Sequence, residues 1–132
     1  EDAILAVEAG ASAIFVSNHG GRELDGCLPT IEALPEIVAA LNTYPSIEVY
    51  VDGGIRSGFD VFKAIALGAR AVFIGRPALW GLGEDGVKKV LSILKQEFTE
   101  AMIHAGFSSP SQITESSLVK RHYYSPYSLT FI

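Results

Sequence analysis

The stretch DVFKAIALGARAVFI, from Asp60 to Ile74, decides the fold because a similar stretch occurs once more, earlier in the sequence. It lines up without gaps on DAILAVEAGASAIFV, from Asp2 to Val16. Each copy has apolar residues at helical spacing, then Gly-Ala, then a short apolar run that is typical of a strand buried on both faces. Helices that alternate with short buried strands predict an α/β protein with parallel strands joined by right-handed crossovers.

The segments around the two copies complete this pattern. A further apolar run, Ile47 to Val51, predicts another strand, and Pro35 is expected to start the helix before it. Ser57 and Asp60 are spaced as a capping pair for the helix of the second copy. The longest helix is expected from about Asp85 to Ala105, after which the composition indicates a tail over the surface.

Two α/β layouts fit this order of elements, a doubly wound open sheet and a (β/α)8 barrel. An open sheet that binds a dinucleotide should carry G-x-G-x-x-G between its first strand and helix. The one literal match, Gly81 to Gly86, follows no strand and is interpreted as a loop. A barrel places functional residues after several strands, and all three strands here end in polar residues or glycines. We therefore predict a barrel.

The length fits only part of such a barrel. About 250 residues are typical, whereas this sequence has 132 and begins without methionine, inside a helical pattern. We expect residues 1–122 to be the C-terminal part of the barrel domain, with its last three strands, and residues 123–132 to be a tail. Four large side chains are then expected to face strands that the chain does not contain: Phe15, Val49, Val51 and Phe73.

The composition argues against several functional classes. A net charge of −5, with no stripe of Lys and Arg, argues against nucleic acid as the main partner. No apolar run is long enough to span a membrane, and no signal peptide is visible. Cys27, the single cysteine, rules out a disulfide framework, so an intracellular compartment is the simpler assumption. We expect no metal site.

Two of the strand ends carry glycines followed by an arginine. Asp52-Gly53-Gly54-Ile55-Arg56 follows the second strand, and Gly75-Arg76 follows the third. Glycines let backbone N–H groups approach an anion closely, and the arginine fork matches phosphate oxygens. The carboxylate of Asp52 can accept from sugar or ribityl hydroxyls. Either motif alone fits solvated turn residues equally well, but the pair on adjacent strand ends favours a phosphate site.

The first strand ends in SNHGGRELDG, from Ser17 to Gly26. The two glycines permit positive φ, so the loop can bring His19 and Arg22 over the barrel mouth. A histidine can act as a general base, and an arginine can clamp a carboxylate with two hydrogen bonds. A lone histidine is more often structural, but next to a phosphate site His19 is interpreted as a base. His104 and His122 are expected at the surface.

Together, SNHGGRELDG, DGGIRSGFDVFKAIALGA and VFIGRPALWG resemble the FMN-dependent α-hydroxy-acid oxidases and dehydrogenases, such as glycolate oxidase, lactate oxidase and flavocytochrome b. The resemblance runs from Glu1 to about Arg121. It implies that His19 is the active-site base beside the flavin, that Arg22 binds the substrate carboxylate, and that Ser17 contacts FMN. The other implied ligands of FMN follow the second and third strands: Asp52, Gly53, Gly54, Ile55, Arg56, Gly75 and Arg76.

The resemblance, which looks greatest to eukaryotic glycolate oxidase, implies oxidation of a small (S)-2-hydroxy acid to the 2-oxo acid, with O2 as acceptor giving H2O2. His19 would take the hydroxyl proton while the α-hydrogen leaves as hydride, or would remove the α-proton first. It also implies a homo-oligomer, a tetramer, and a missing N-terminal half that supplies a lysine and tyrosines to the site.

Three departures from the family pattern are visible. Glu23 stands where Gln is common, and GLGEDGVKKVL is a few residues short. The final LTFI lacks an S-K-L-like tripeptide, so peroxisomal and cytoplasmic locations both stay open. Two other interpretations also stay open: another FMN- or phosphate-binding barrel, such as a flavin-dependent isomerase, and a non-catalytic truncated fragment.

Overall fold

The computed structural model describes residues 1–83 and 85–119, and its centre is a small parallel sheet. The strands are β1 (Ala13–Val16), β2 (Glu48–Val51) and β3 (Ala71–Val72). They lie side by side in chain order, with Phe15 opposite Tyr50 and Val51 opposite Val72. The predicted α/β organisation with parallel strands is therefore confirmed.

Within the described residues, five α-helices accompany the strands: α1 (Asp2–Glu8), α2 (Thr30–Ala40), α3 (Gly58–Ala66), α4 (Arg76–Trp80) and α5 (Gly86–His104). Short 3-10 turns lie at His19–Gly21, Pro110–Gln112 and Glu115–Ser117. No described helix combines the length and the apolar composition that crossing a membrane requires.

The internal repeat is confirmed as two equivalent helix–strand units, α1–β1 and α3–β3. Gly10 and Gly68 occupy the same place in the two copies, and both have a φ of +99°. The next residue, Ala11 or Ala69, donates its N–H to the carbonyl five residues earlier, at 2.9 and 3.0 Å. This is a Schellman ending, which needs a left-handed residue and therefore favours glycine.

The described helices cover one face of the sheet. Val16, Val49 and Val51 point to that face and are at most 6% exposed. They pack in the main core with Leu34 and Ala64, both fully buried. The prediction that Val49 and Val51 face missing strands is wrong, because side chains alternate along a strand and these two lie in phase with Val16.

The other face of the sheet carries three aromatic side chains, Phe15, Tyr50 and Phe73, which we call the aromatic face. The rings of Phe15 and Phe73 lie 4.9 Å apart, and those of Tyr50 and Phe73 lie 5.8 Å apart. Phe15 is 45% exposed and Phe73 is 48% exposed. Within the described residues the helices thus cover one side of the strands and leave Phe15 and Phe73 exposed on the other.

Two further predictions are corrected. Pro35 lies inside α2, which begins at Thr30, because the buried Thr30 hydroxyl donates to the Asp52 carbonyl and fixes the helix start there. The segment after α5 is more than a surface tail, since Ile113 is 7% exposed and belongs to a second apolar cluster with Phe62. His104 is exposed as expected. The predicted tail 123–132 and His122 lie outside the described residues.

Helix α3 begins directly against the backbone of α5. The Gly58 N–H donates to the Glu97 carboxylate at 2.7 Å. A Cβ on Gly58 would lie 2.1 Å from the backbone nitrogen of Phe98, a distance that packed atoms do not adopt. Only glycine therefore allows this approach, which sets the position of the loop between β2 and α3.

The predicted capping pair at the start of α3 is confirmed as a capping box. The Ser57 hydroxyl accepts from the Asp60 N–H at 3.2 Å, and the Asp60 carboxylate accepts from the Ser57 N–H at 3.1 Å. Burial by itself would raise the pKa of Asp60, but hydrogen bonds from Ser57, the Arg56 N–H and Lys63 outweigh it and hold that pKa below its usual value.

We expect Asp60→Asn to lower the free energy of unfolding by about 1 kcal/mol at pH 7. A carboxyl whose folded pKa is lowered stabilises the folded state above its unfolded pKa and loses that contribution as the pH falls through the folded pKa. The difference between variant and wild type should therefore shrink below the usual value of 3.8. Urea unfolding from pH 7 to pH 3 would measure it, with the exposed Glu36→Gln as control. A constant difference would contradict the charge effect.

Candidate active site

A cavity of about 330 Å³ opens where the carboxyl ends of the three strands meet. This is the edge at which parallel α/β folds bind ligands, and the volume lies in the range of small-molecule sites. The predicted site residues in its wall are His19, Arg22, Gly53, Gly54, Ile55, Arg56, Gly75 and Arg76. Ser17 and Asp52, which directly follow β1 and β2, are not among the residues of this wall.

The loop after β1 is held in an unusual backbone conformation. His19, Gly20 and Gly21 have φ values of +54°, +68° and +71°, which for His19 costs about 1–2 kcal/mol. The Asn18 side chain compensates, since it accepts from the Gly21 N–H at 3.2 Å and donates to the Leu28 carbonyl at 3.3 Å. Asn18 was not singled out from the sequence, although its place before the two glycines is typical of a turn residue.

The side chains of Ser17 and His19 form contacts within the loop after β1. The Ser17 hydroxyl accepts from the His19 N–H at 3.2 Å, so Ser17 stabilises the start of the loop. The His19 Nδ1 lies 2.7 Å from the Glu23 Oε1, and both side chains are exposed. His19 and Arg22 both line the cavity.

Arg76 links the end of β3 to this loop. Its guanidinium donates to the Gly20 carbonyl at 2.7 Å. A Cβ on Gly20 would lie 3.0 Å from the same guanidinium nitrogen, so the absence of a side chain on Gly20 permits the contact. Two motifs that are 56 residues apart in sequence are therefore in direct contact.

The end of β2 lies between them. Gly53 and Gly54 have φ values of +81° and +78°. The hydroxyl of Thr30 bonds to the Asp52 carbonyl and lies 3.3 Å from the Gly53 carbonyl. The buried Oδ1 of Asp52 has no hydrogen-bond partner among the described residues. A buried carboxylate oxygen without a donor is costly, so this atom is suited to a donor from outside these residues.

The charges around the cavity favour an anionic ligand. Among the described residues, the wall includes Arg22, Arg56 and Arg76 and no carboxylate. A Cβ on Gly54 or Gly75 would have nothing within 4 Å, so the backbone is accessible at both positions. Forked arginines beside accessible glycine backbone are the groups that phosphate and carboxylate ligands require. No cluster of three or more His, Cys, Asp or Glu that could hold a metal occurs in the described ranges.

Part of the cavity wall was not predicted from the sequence. Phe73 from the aromatic face, Leu79 and Trp80 contribute apolar surface. Trp80 is 67% exposed and Leu79 is 60% exposed. These side chains give the cavity an apolar part in addition to its arginines, as sites for amphipathic ligands require.

Comparison with known proteins is consistent with this site. The family model described as FMN-dependent dehydrogenase matches residues 1–120. The 2-hydroxyacid oxidase 2 of Mus musculus is 56% identical over 117 residues, which are 86% of this chain and 33% of the relative. The L-lactate oxidase of Nostoc sp. is 54% identical over 121 residues, 89% of this chain and 33% of the relative. The chain therefore spans about a third of the length of these relatives.

Solved structures show the same likeness. A mandelate oxidase with benzoyl-formic acid matches with a TM-score of 0.79 at 55% identity, over 85% of this chain and 34% of that one. A mandelate oxidase mutant with a monooxide FMN adduct matches with a TM-score of 0.79 at 55% identity, over 85% of this chain and 36% of that one.

Proposed function

The chain belongs to the family of FMN-dependent dehydrogenases, and from that premise we propose that it is the C-terminal part of a (β/α)8-barrel oxidase. The full-length parent oxidises a small (S)-2-hydroxy acid, of the glycolate or lactate type, to the 2-oxo acid, with O2 as acceptor. The observation that carries this proposal is the meeting of His19, Arg22, Arg56 and Arg76 around one cavity at three strand ends. The printed names of the relatives, 2-hydroxyacid oxidase and L-lactate oxidase, support the substrate class.

The residues of the cavity fit FMN at several points. Arg56 and Arg76, with the open backbone of Gly54 and Gly75, would hold the phosphate. The partnerless Oδ1 of Asp52 is an acceptor for a ribityl hydroxyl, which supplies the donor that the described residues do not. We propose that Ser17, Gly53 and Ile55 complete the contact surface. FMN held there would supply the acceptor for the two electrons of the oxidised C–H bond.

The substrate would lie between His19 and Arg22. Arg22 binds the substrate carboxylate through its fork, which fixes the orientation of the reacting carbon. His19 takes up a proton as general base, either from the hydroxyl or from the α-carbon. In both routes the imidazole of His19 holds the proton, while Arg22 holds the substrate carboxylate.

The rest of the barrel would come from the part of the parent outside this chain. We propose that its N-terminal half covers the aromatic face and completes the wall beside Trp80. This agrees with the relatives, of which the chain covers about a third. Assembly as a tetramer and a peroxisomal or cytoplasmic location remain predictions from the family resemblance.

The binding of the cofactor phosphate gives a direct test. We expect Arg56→Ala and Arg76→Ala in the parent each to weaken FMN binding by about 1.5–3 kcal/mol, the value of a hydrogen bond to a charged group. Riboflavin, which has no phosphate, should bind both variants and wild type about equally. Titration of the apoprotein followed by flavin fluorescence would measure both ligands.

Arg70→Ala is the matched control, because Arg70 pairs with Glu48 at 3.1 Å and lies outside the cavity wall. It should leave FMN affinity unchanged. A parallel loss of riboflavin and FMN affinity in the Arg56 and Arg76 variants would show that these arginines stabilise the fold instead of binding phosphate, and would contradict the proposed site.

A further inference from the structure

Thr30 is a buried polar residue to which the proposed reaction gives no part. It is 4% exposed and is the first residue of α2. Its hydroxyl bonds to the Asp52 carbonyl and lies 3.3 Å from the Gly53 carbonyl. Carbonyl oxygens only accept hydrogen bonds, so the hydroxyl is the donor in both contacts. One side chain of α2 therefore holds two consecutive carbonyls of the loop after β2.

The held carbonyls determine the direction of the adjoining N–H groups. The described chain has no cis peptide bond, and the C=O and N–H of a planar trans peptide point in opposite directions. Because the carbonyls of Asp52 and Gly53 are directed at Thr30, the N–H groups of Gly53 and Gly54 are directed away from it. Neither N–H donates to a backbone carbonyl of the described residues. Both are therefore available to an acceptor from outside.

The loop is packed on one side and open on another. Gly53 and Gly54 line the active-site cavity, whereas Thr30 does not. Thr30 lies with both glycines in the wall of a neighbouring cavity of about 350 Å³. A Cβ on Gly53 would lie 3.1 Å from the Thr30 hydroxyl, but a Cβ on Gly54 would have nothing within 4 Å. The backbone is thus packed against Thr30 at Gly53 and accessible to a ligand at Gly54.

We propose that Thr30 is a positioning residue whose hydroxyl orients the Gly54 N–H towards the phosphate of FMN. The inference rests on the proposed function, in which Arg56 and Arg76 hold that phosphate. An arginine side chain can turn towards an anion, whereas a backbone N–H has only the direction that its peptide plane gives it. Successive N–H groups in a turn form anion-binding concavities when they are so directed. Thr30 supplies the direction and does not itself contact the cofactor.

Replacement by a residue of the same shape tests this inference in the full-length protein. Thr30→Val keeps the shape of the side chain and removes its donor. We expect FMN binding to weaken by about 5–10-fold, the value of one neutral hydrogen bond, and riboflavin, which has no phosphate, to bind about as in wild type. Thr30→Ser keeps the hydroxyl and should restore FMN binding. Titration of the apoprotein followed by flavin fluorescence would measure both ligands.

Thr99→Val is the matched control, because the Thr99 hydroxyl also donates to a backbone carbonyl, that of Lys95 at 2.8 Å. Thr99 lies on α5 and is not in the cavity wall. The variant should bind FMN and riboflavin as wild type does. The comparison separates the loss of this particular hydrogen bond from the general effect of replacing a threonine hydroxyl.

Hydrogen exchange of the loop gives a second readout that needs no variant. With either ligand at saturation, we expect the Gly54 N–H of wild type to exchange more slowly with FMN than with riboflavin, because only FMN provides a phosphate acceptor. In Thr30→Val this difference should shrink. Mass spectrometry with fragmentation of the peptide would measure the exchange. Equal exchange in the two wild-type complexes would overturn the inference, even if Thr30→Val did not fold.

The outcomes separate this inference from the function on which it rests. Equal losses of FMN and riboflavin affinity in Thr30→Val would show that Thr30 only stabilises the fold. That result, or wild-type FMN affinity in a folded Thr30→Val, would overturn the role of Thr30 alone. Wild-type FMN affinity in both Arg56→Ala and Arg76→Ala would instead overturn the proposed phosphate site, and this inference with it.

Discussion

Flavin reduction by a 2-hydroxy acid is expected to be about 10²–10⁴-fold slower in the His19→Gln variant of the full-length parent, the usual contribution of a general base. Glutamine has a similar reach but no group that takes up a proton. FMN binding should stay nearly intact, since the proposed phosphate contacts come from Arg56 and Arg76. Anaerobic stopped-flow bleaching of the flavin by glycolate or lactate would measure the rate.

The control for this variant is His104→Gln, the same substitution at an exposed position near the end of α5. It should reduce at the wild-type rate. Bleaching of His19→Gln at the wild-type rate would remove His19 from the mechanism. A large loss of FMN affinity in His19→Gln would show that His19 mainly holds the cofactor or the loop. Another residue would then have to act as the base.

The elements of the fold that could be predicted from the sequence are those with local signals. The two helix–strand units were visible because their glycines, Gly10 and Gly68, end the helices in the same way. The capping box at Ser57 is likewise set by residues within one turn. The start of α2 was predicted wrongly because it depends on a hydrogen bond from Thr30 to the end of β2, 22 residues away.

The same distinction applies to the candidate site. Its glycine–arginine motifs were recognisable because each follows a strand, and the structure brings them to one cavity. Their contacts with each other were not predictable, since the bond from Arg76 to the Gly20 carbonyl depends on the register of three strands. The direction of Val49 and Val51 also depends on that register, because alternation alone does not tell which face the helices cover.

Residues 1–132 expressed alone are expected to be aggregated, molten or self-associated, with no flavin absorbance and no oxidase activity. The physical reason is the aromatic face together with the apolar side of the cavity. Phe15 and Phe73 are 45% and 48% exposed, and Leu79 and Trp80 are 60% and 67% exposed. A large apolar side chain left in water forgoes about 1.5–3 kcal/mol of burial. Since the net stability of a domain is only about 5–15 kcal/mol, a few such losses cancel it.

Co-expression with the N-terminal half of the parent should restore a yellow complex, because the missing strands would cover Phe15 and Phe73 and pair with the outer edges of β1 and β3. Size-exclusion chromatography, thermal melting and the flavin spectrum would compare the chain alone with the complex. Phe73→Asp should prevent the complex from forming, since it places a charge on the surface to be buried. Ile103→Asp, at a 68% exposed position on α5, should leave it intact. A monomeric chain that melts cooperatively and binds FMN alone would contradict the half-barrel proposal, because the aromatic face would then need no partner.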